Sequence, residues 1–238
     1  MKAMILAAGF GKRMQPFTNF LPKPLIEVNG KTLIARHLER LAQSGIKDVM
    51  INIAHLGDKI ISHCGNGKRW GLNISYSTEP EDSPLETGGA VEQVLDWFEA
   101  KPFILISADV WTDYPWESLP KTLSDNNLAH LVLATKPSWL AQGDFSVDLD
   151  AKVYIDKKSA YTYAGFGIMH PDLWQIQRGG SYPISILFNE AIAKRKITGT
   201  TFNGKWFNIG CEQRLIELCN NYGWTLQDTN LHSKALND

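Results

Sequence analysis

The 238-residue sequence is poor in cysteine and has no long hydrophobic segment. Its three cysteines (Cys64, Cys211 and Cys219) are odd in number and lack metal-ligand spacing, which predicts free thiols in a reducing compartment. The N-terminal apolar stretch is too short for a signal peptide, and no run reaches the roughly 18 apolar residues of a membrane span. We therefore expect a soluble, cytoplasmic protein that has no membrane as a partner.

The sequence also lacks an excess of charge of either sign. Its 24 basic and 25 acidic residues give a net charge of -1. Because nucleic acid and anionic membranes attract proteins through a basic excess, this balance argues against both as partners. With 44% apolar residues, the chain can bury a substantial core, and we expect a single domain over residues 1–238. Small molecules are the expected ligands, and the sequence predicts no particular oligomeric state.

Apolar residues alternate between strand-like and helix-like spacing in the first half of the chain. Residues 3–8, 49–53 and 103–106 predict buried strands. Thr32 predicts the cap of a helix that carries Leu33, Ile34, Leu38 and Leu41 on one face and ends at Gly45. A further helix is expected to begin at Gly88 and Gly89 and to carry Val91, Val94, Leu95 and Phe98. From Leu131 onward, shorter strands are expected, some of them antiparallel. This order predicts an α/β fold, with a doubly wound, mostly parallel mixed sheet flanked by helices.

Residues 6–25, LAAGFGKRMQPFTNFLPKPL, combine a predicted strand end with two glycines and the cationic side chains of Arg13 and Lys23. Ligands bind such sheets at strand ends, and Gly9 and Gly11 would let backbone N–H groups approach a polyphosphate. Arg13 can bind phosphate oxygens through two parallel hydrogen bonds, whereas Lys23 provides a compact charge. The segment therefore predicts a phosphate-binding loop.

Two common phosphate-binding motifs do not fit this segment. A dinucleotide-binding fingerprint needs glycine where Met14 stands, which argues against a nicotinamide-dependent dehydrogenase. A Walker loop ending at Gly30-Lys31-Thr32 would need glycine at the position of Leu25. An ordinary surface loop rich in glycine and proline is the remaining alternative.

The run G-F-G-K-R-M-Q-P-F-T-N-F-L-P-K-P resembles the G-x-G-x-R-x-x-P-x-T-x-x-x-P-K-P signature of sugar nucleotidyltransferases, also called nucleotide-sugar pyrophosphorylases. The resemblance covers nearly the whole chain. It implies a Rossmann-like fold, Mg²⁺ as cofactor, and transfer of a nucleoside monophosphate from a triphosphate to a sugar 1-phosphate. In that family the arginine assists pyrophosphate departure and the lysine contacts the reacting phosphates, roles that would fall on Arg13 and Lys23. Residues of about 1–128 would bind the nucleotide, and residues of about 129–238 would form a smaller sugar-binding lobe.

The resemblance also implies a metal site. From its position alone, Asp109 could equally well cap a turn or hold magnesium, and the resemblance implies the family's metal-binding aspartate. In Trp206-Phe207-Asn208-Ile209-Gly210, Asn208 replaces the family's second metal aspartate. An amide oxygen can still coordinate magnesium, but without charge its attraction for the ion is weaker.

The remaining site residues are likewise implied by the resemblance. From the residues alone, 86–89 could equally form a plain capped turn, and Asp144 could be a solvated loop aspartate. The expected catalytic residues are Arg13, Lys23 and Asp109, and the expected metal ligands are Asp109 and Asn208. Nucleotide contacts are expected at Ala8, Gly9, Gly11, Lys12, Arg13, Lys23, Glu86, Thr87, Gly88 and Ser107. Sugar contacts are expected at Gly143 and Asp144.

Substrate preference is less sharply indicated than reaction class. Residues 84–89, PLETGG, and 109–114, DVWTDY, resemble family members of bacterial cell-wall recycling that use UTP and N-acetylmuramate 1-phosphate. Ser107-Ala108 departs from the Asn-Gly that commonly precedes the aspartate in those members. Mannose-1-phosphate guanylyltransferases share much of the pattern and remain an alternative. Because of Asn208, a catalytically impaired nucleotide-sugar sensor or subunit is a further one.

Overall fold

The computed structural model describes residues 1–124, 126–138, 140–156, 158–225 and 229–231. The strands in this part of the chain are β1 (Lys2–Leu6), β2 (Glu27–Val28), β3 (Lys31–Thr32), β4 (Asp48–Ile53), β5 (Asn73–Thr78), β6 (Phe103–Ser107), β7 (Val110–Thr112), β8 (Ala129–Thr135), β9 (Ser146–Val147), β10 (Val153–Tyr154), β11 (Tyr161–Met169), β12 (Ile197–Phe202) and β13 (Trp206–Asn208). The α-helices are α1 (Leu33–Gln43), α2 (Gly57–Cys64), α3 (Glu86–Glu92), α4 (Ser185–Ala193) and α5 (Glu212–Tyr222).

Seven strands form the main sheet, in the order β12-β8-β11-β6-β1-β4-β5. The pairs β4–β5 and β12–β8 are parallel, whereas β11 runs antiparallel to both β6 and β8. Three two-stranded sheets, β2–β3, β9–β10 and β7–β13, complete the strand pairing. The predicted α/β fold with a mixed sheet flanked by helices is confirmed, and the expected antiparallel element is β11.

The chain packs into two compact units, neither of them continuous in sequence. Of the described residues, the loop unit contains those within 5–84, 107–111 and 207–231, and the hairpin unit contains those within 1–4, 85–106 and 112–206. The glycine-rich loop lies in the first, and the β9–β10 hairpin lies in the second. The predicted functional division near residue 128 stays a prediction.

In the loop unit, α1 begins and ends where the sequence predicts. The Thr32 side chain accepts a hydrogen bond of 3.2 Å from the Ala35 N–H, an N-cap that stabilises a helix by about 1 kcal/mol. The helix ends at Gln43, and Gly45 follows with φ 81°, a left-handed conformation that favours glycine. The four apolar residues predicted to share one helix face are all buried: Leu33, Ile34, Leu38 and Leu41.

In the hairpin unit, the predicted helix after Gly88 is shorter than expected. Helix α3 ends at Glu92, and a separate 3₁₀ turn covers Leu95–Phe98. The β-branched Val94 between them has φ -122° and ψ 18°, outside the helical region. The tighter turn lets the Phe98 ring stack on Phe103 with centroids 3.7 Å apart, so core packing overrides the helical pattern.

Among the described residues, the helices are all too short or too polar to cross a bilayer.

Candidate functional site

The glycine-rich loop follows β1 and runs through three 3₁₀ turns, Lys12–Met14, Phe17–Asn19 and Lys23–Leu25. Gly11 has φ 67°, and a Cβ there would lie 2.7 Å from Thr18 Cγ2, so the loop's own folding requires glycine. The Thr18 hydroxyl donates to the Gly11 carbonyl at 2.9 Å, closing the loop.

Gly9 has a different environment from Gly11. In the part of the chain that the structure describes, no heavy atom lies within 4 Å of the point where a Cβ would stand on Gly9. The backbone at Gly9 therefore has open space in front of it, as close approach of a ligand requires.

The outer arm of the loop is attached to α2 and to the short segment that precedes it. His55 Nε2 lies 3.3 Å from the Thr18 carbonyl oxygen, and the Lys59 ammonium donates to the Phe20 carbonyl. Both contacts are made to backbone carbonyl oxygens of the loop. They therefore fix the path of the loop backbone and do not involve the side chains of Arg13 and Lys23.

Lys23 and Asp109, 86 positions apart in sequence, meet in an ion pair. The distance from Lys23 Nζ to Asp109 Oδ2 is 2.6 Å, and the two side chains are only 14% and 21% exposed. Asp109 reaches this position because the preceding Ala108 N–H donates to the Leu6 carbonyl at 3.0 Å, beside the end of β1. Water screens the pair less than it screens a surface ion pair, so the charges interact more strongly.

Arg13 and Asn208 both lie beside Gly210. A Cβ on Gly210 would lie 3.0 Å from Arg13 Nη2 and 3.2 Å from Asn208 Oδ1, so glycine leaves room for both groups. The next residue after Asn208 is tied to the aspartate, because the Ile209 N–H donates to the Asp109 carbonyl at 2.8 Å. Within the loop unit, the structure thus pairs the side chains of Lys23 and Asp109 and places Arg13 and Asn208 around Gly210, on the segment bonded to the Asp109 backbone.

These residues are chemically suited to magnesium. Asp109 and Asn208 offer oxygen donors, and magnesium in nucleotide sites typically takes one or two protein carboxylates plus phosphate oxygens and water. The Lys23 ammonium on Asp109 shows that the carboxylate faces a position that suits a cation. Among the described residues, no group of three or more His, Cys, Asp or Glu side chains could enclose a metal. A magnesium ion held here would therefore need the nucleotide phosphates to complete its coordination.

A buried histidine lies behind the Asp109 segment. His37 on α1 is 3% exposed and makes a hydrogen-bonding contact with the Val110 backbone. Burial lowers the pKa of His37 to about 4, helped by the nearby Arg40 guanidinium, and the Val110 and Asp109 contributions only partly oppose this. His37 is therefore neutral at physiological pH.

The hairpin unit contains three predicted nucleotide contacts, Glu86, Thr87 and Gly88. Glu86 is exposed and Thr87 half-buried at the start of α3, whereas Gly88 and Gly89 are buried. A Cβ on Gly88 would overlap the Tyr182 ring, and one on Gly89 would overlap the Gly180 carbonyl. The glycine pair thus has a packing role inside the protein, and its predicted contact with a nucleotide stays a prediction.

We call residues 178–182, which fill this space, the glycine strap. The strap is held by one carboxylate: Glu92 accepts the Arg178 N–H at 3.0 Å, the Gly179 N–H at 2.8 Å and the Tyr182 hydroxyl. Desolvation tends to raise the pKa of Glu92, but these hydrogen bonds together outweigh it and lower the pKa below its ordinary value.

Gly143 and Asp144, the predicted sugar contacts, also lie in the hairpin unit. A Cβ on Gly143 would lie 2.5 Å from the Tyr161 carbonyl, so the close backbone pairing here requires glycine. Asp144 is exposed, and its Oδ2 accepts from the Thr162 hydroxyl and from the Tyr163 N–H. These two hydrogen bonds do not involve Oδ1, the other oxygen of the Asp144 carboxylate.

The remaining predicted contacts lie at strand ends and on the loop. Ala8 is 5% exposed, and Ser107 is half-buried as the last residue of β6. Lys12 is exposed, with its ammonium 5.4 Å from the centre of the Phe10 ring.

Sequence reasoning did not single out two buried polar residues beside the loop, Asn52 and Glu79, each only 3% exposed. Asn52 interrupts the otherwise apolar end of β4, and a polar residue in a buried strand is the signal that could have identified it.

A nucleotide-dependent transferase is defined by this fold together with the glycine-rich loop, the cations Arg13 and Lys23, and the Asp109 carboxylate. The chain belongs to the nucleotidyl transferase family, whose sequence profile matches residues 2–139.

Two relatives indicate the range of similar enzymes. The N-acetylmuramate alpha-1-phosphate uridylyltransferase of Neisseria meningitidis serogroup B is 37% identical over 223 residues, covering 91% of this chain and 96% of that protein. The mannose-1-phosphate guanyltransferase of Yarrowia lipolytica is 30% identical over 228 residues, covering 88% of this chain and 61% of that protein.

Solved structures share the fold at lower identity. A Bacillus anthracis protein assigned as a glucose-1-phosphate thymidylyltransferase, crystallised with a sucrose, matches with a TM-score of 0.80 and 20% identity over 93% of this chain and 94% of its own. HddC from Yersinia pseudotuberculosis, complexed with GMP-PN, matches with a TM-score of 0.72 and 20% identity over 93% of this chain and 99% of its own.

Proposed function

We propose that this nucleotidyltransferase transfers a uridylyl group from UTP to N-acetylmuramate 1-phosphate and releases pyrophosphate. The observation that carries the reaction type is the meeting of Lys23 and Asp109 at 2.6 Å beside Arg13 and Asn208. The likeness to the Neisseria uridylyltransferase over nearly the full length of both chains supports this base and this sugar.

In the proposed reaction, an oxygen of the sugar 1-phosphate attacks the α-phosphorus of UTP. The bond from that phosphorus to the oxygen bridging the α- and β-phosphates breaks, and pyrophosphate leaves. No general base is needed, because the attacking phosphate is already ionised. Catalysis then consists of positioning and of stabilising negative charge.

The four site residues of the loop unit each have a proposed role in that stabilisation. Arg13 offsets the charge that grows on the departing pyrophosphate, and Lys23 offsets charge around the α-phosphate. Asp109 and Asn208 would hold magnesium, which when bound neutralises phosphate charge and helps to orient the triphosphate. The open space before Gly9 supports approach of the phosphates to the loop backbone.

In the hairpin unit, we propose that Glu86, Thr87 and Gly88 contact the nucleotide and that Gly143 and Asp144 contact the sugar. The oxygen of Asp144 that the Thr162 and Tyr163 contacts leave unused supports a hydrogen bond to a sugar hydroxyl. The chain would act in the cytoplasm, where UTP is made, and would serve cell-wall recycling. Three free thiols agree with a reducing compartment.

A second candidate is mannose-1-phosphate guanylyltransferase, which the Yarrowia relative favours. A third is a sensor that binds nucleotide sugars without turnover, which Asn208 favours because it supplies no charge for the metal.

A pyrophosphate-release assay tests all three. UTP and GTP are each combined with N-acetylmuramate 1-phosphate and with mannose 1-phosphate at saturating magnesium, with Asp109→Asn as the matched control. We expect the fastest release with UTP and N-acetylmuramate 1-phosphate, and little release by Asp109→Asn. Faster turnover of GTP with mannose 1-phosphate would transfer the assignment to the second candidate. Nucleotide binding without release in any combination would favour the sensor.

A further inference from the structure

Behind the start of the glycine-rich loop, a buried chain of hydrogen bonds crosses the ends of three neighbouring strands. Ala7 is the first residue after β1, Asn52 lies near the end of β4, and Glu79 is the first residue after β5. The Ala7 N–H donates to Asn52 Oδ1 at 2.7 Å, and Asn52 Nδ2 donates to Glu79 Oε1 at 2.5 Å. All three residues are at most 4% exposed.

The chemistry of these groups gives the chain a direction. A backbone N–H can only donate, whereas an amide side chain both donates and accepts. The Asn52 oxygen therefore faces the Ala7 N–H, and the Asn52 NH₂ group faces Glu79, whose side-chain oxygen accepts from it. Each group is buried, so the loss of one partner would leave another polar group unsatisfied.

The ends of β4 and β5 nearest the loop are paired with each other. The Glu79 N–H donates to the Ile53 carbonyl at 2.8 Å, continuing the parallel β4–β5 ladder in which Ile53 pairs with Thr78. Asn52 belongs to the same ladder. Through the Ala7 N–H, this pair of strands is therefore bonded to the residue from which the glycine-rich loop begins.

We propose that Asn52 and Glu79 are positioning residues that set the backbone of Ala7 to Gly9 for binding of the triphosphate. Neither side chain touches the substrate, and both act through the Ala7 N–H. This inference rests on the proposed function of the loop as the nucleoside triphosphate site. Loss of the hydrogen-bond chain should therefore weaken nucleotide binding more than it slows the bound reaction.

Exchanging the two side-chain types provides the test. Asn52→Asp removes the amide that donates to Glu79 and sets two buried carboxyl groups against each other, so the pair must either repel or take up a proton, and the hydrogen-bond chain is weakened. Glu79→Gln removes the obligatory acceptor and leaves either amide orientation possible. In the double variant Asn52→Asp/Glu79→Gln, the new carboxylate at position 52 can accept both the Ala7 N–H and the new amide at position 79. This arrangement restores every hydrogen bond, with the direction of the second one reversed.

The opposite end of the same two strands offers a matched control. Asn73 Nδ2 donates to Asp48 Oδ1 at 3.0 Å in an exposed pair. Asn73→Asp creates the same kind of carboxylate pair on β4 and β5, far from the loop along the strands. It should leave UTP affinity unchanged.

The measurements are UTP affinity by calorimetry, KM and kcat, and amide hydrogen exchange of residues 7–11. We expect Asn52→Asp to weaken UTP binding about tenfold, to raise KM by a similar factor and to speed exchange in the loop, with kcat changed less. Glu79→Gln should do the same to a smaller extent, and the double variant should return close to wild type in all three. Rescue of thermal stability without rescue of UTP affinity would overturn the proposal, as would unchanged loop exchange in Asn52→Asp.

The exchange measurement needs no turnover. If the wild-type protein released no pyrophosphate with any substrate pair, the proposed function would fail, while loop exchange would still report whether Asn52 and Glu79 hold the loop.

Discussion

The two units each contain glycines beside predicted nucleotide contacts, but the space around those glycines is used differently. In the loop unit, Gly9 faces open space among the described residues. In the hairpin unit, the space before Gly88 and Gly89 is filled by Tyr182 and Gly180 of the strap. A glycine in a sequence thus indicates close approach of something, and only the fold tells whether a ligand or the chain itself approaches.

Charge separates the units in the same way. In the loop unit, Lys23 pairs with Asp109, and Arg13 lies beside Gly210 and Asn208, so the charged side chains named in this region are two cations and one carboxylate. In the hairpin unit, Glu92 is committed to three donors of the strap. We therefore expect substitutions in the first region to change chemistry and those in the second to change stability.

The largest effect should come from the two cations. Arg13→Ala and Lys23→Ala should each lower kcat by about 100-fold or more while the fold persists, because each removes charge stabilisation from phosphoryl transfer. The measurement is steady-state pyrophosphate release, with circular dichroism to confirm folding. Lys68→Ala, which removes an exposed cation elsewhere in the loop unit, serves as the control. Near-normal rates in both site variants would refute these assignments.

Glycine-to-alanine substitutions test the comparison directly. Gly88→Ala and Gly89→Ala should each lower the free energy of unfolding by about 1–3 kcal/mol, because the strap must move to accommodate the methyl group. Gly9→Ala should change it by less than about 0.5 kcal/mol yet weaken UTP binding, because its methyl group would stand in the open space. Urea unfolding and calorimetry give the two quantities. A Gly9→Ala protein as destabilised as Gly89→Ala would remove the distinction between the two regions.

Sequence reasoning succeeded where the signal is local. Each of three confirmed predictions follows from a few neighbouring residues. The residue type at Thr32 predicts the cap, helical spacing predicts the buried face of α1, and an apolar run predicts the strand before Asp109. Contacts between residues that are far apart in sequence could not be predicted from such local patterns. The filling of the Gly88 site by Tyr182 joins positions 94 residues apart, and the sequence of the strap predicts only a loop.

The same limit explains the missed residues. Asn52 bonds to Ala7 across 45 positions and to Glu79 across 27, so no periodic pattern connects them. The meeting of Lys23 with Asp109 was anticipated only through the family resemblance, because spacing alone left Asp109 open to a capping role.

The dependence of the free energy of unfolding on pH should also differ between the two units, and this effect should be intermediate in size. The pKa of His37 is about 4 in the folded protein, below the ordinary value of 6.5, so the unfolded chain binds the proton more readily. Above pH 6.5, protonation of His37 therefore does not reduce the free energy of unfolding. As the pH falls from 6.5 toward 4, the free energy of unfolding decreases. Between pH 7.5 and 5 we expect a loss of about 1–2 kcal/mol. Glu92, whose pKa is lowered, should lose its stabilising effect only at more acidic pH, as the pH falls below its ordinary value of 4.5.

Replacing the imidazole isolates its contribution. His37→Gln keeps a hydrogen-bond donor near Val110 but does not titrate, so the slope of stability against pH between 7.5 and 5 should flatten. Urea unfolding at several pH values measures this slope. An unchanged slope would mean that another group is responsible.

The smallest expected effect concerns Asn208, where a neutral amide stands in the position of a charged metal ligand. The Ile209 N–H to Asp109 carbonyl hydrogen bond pairs the backbone next to Asn208 with that of Asp109, and Asn208 Oδ1 lies beside Gly210, as does Arg13. Affinity for the ion should be weaker than with a carboxylate, because Coulomb attraction is missing from one of two protein ligands. Asn208→Asp should then lower the magnesium concentration for half-maximal turnover, by about tenfold or less, since the triphosphate supplies most of the negative charge. Magnesium titrations of both proteins at saturating UTP and sugar phosphate measure the shift. Identical curves would exclude Asn208 from direct contact with the ion, and a higher magnesium requirement in Asn208→Asp would show that the added charge binds Arg13 instead.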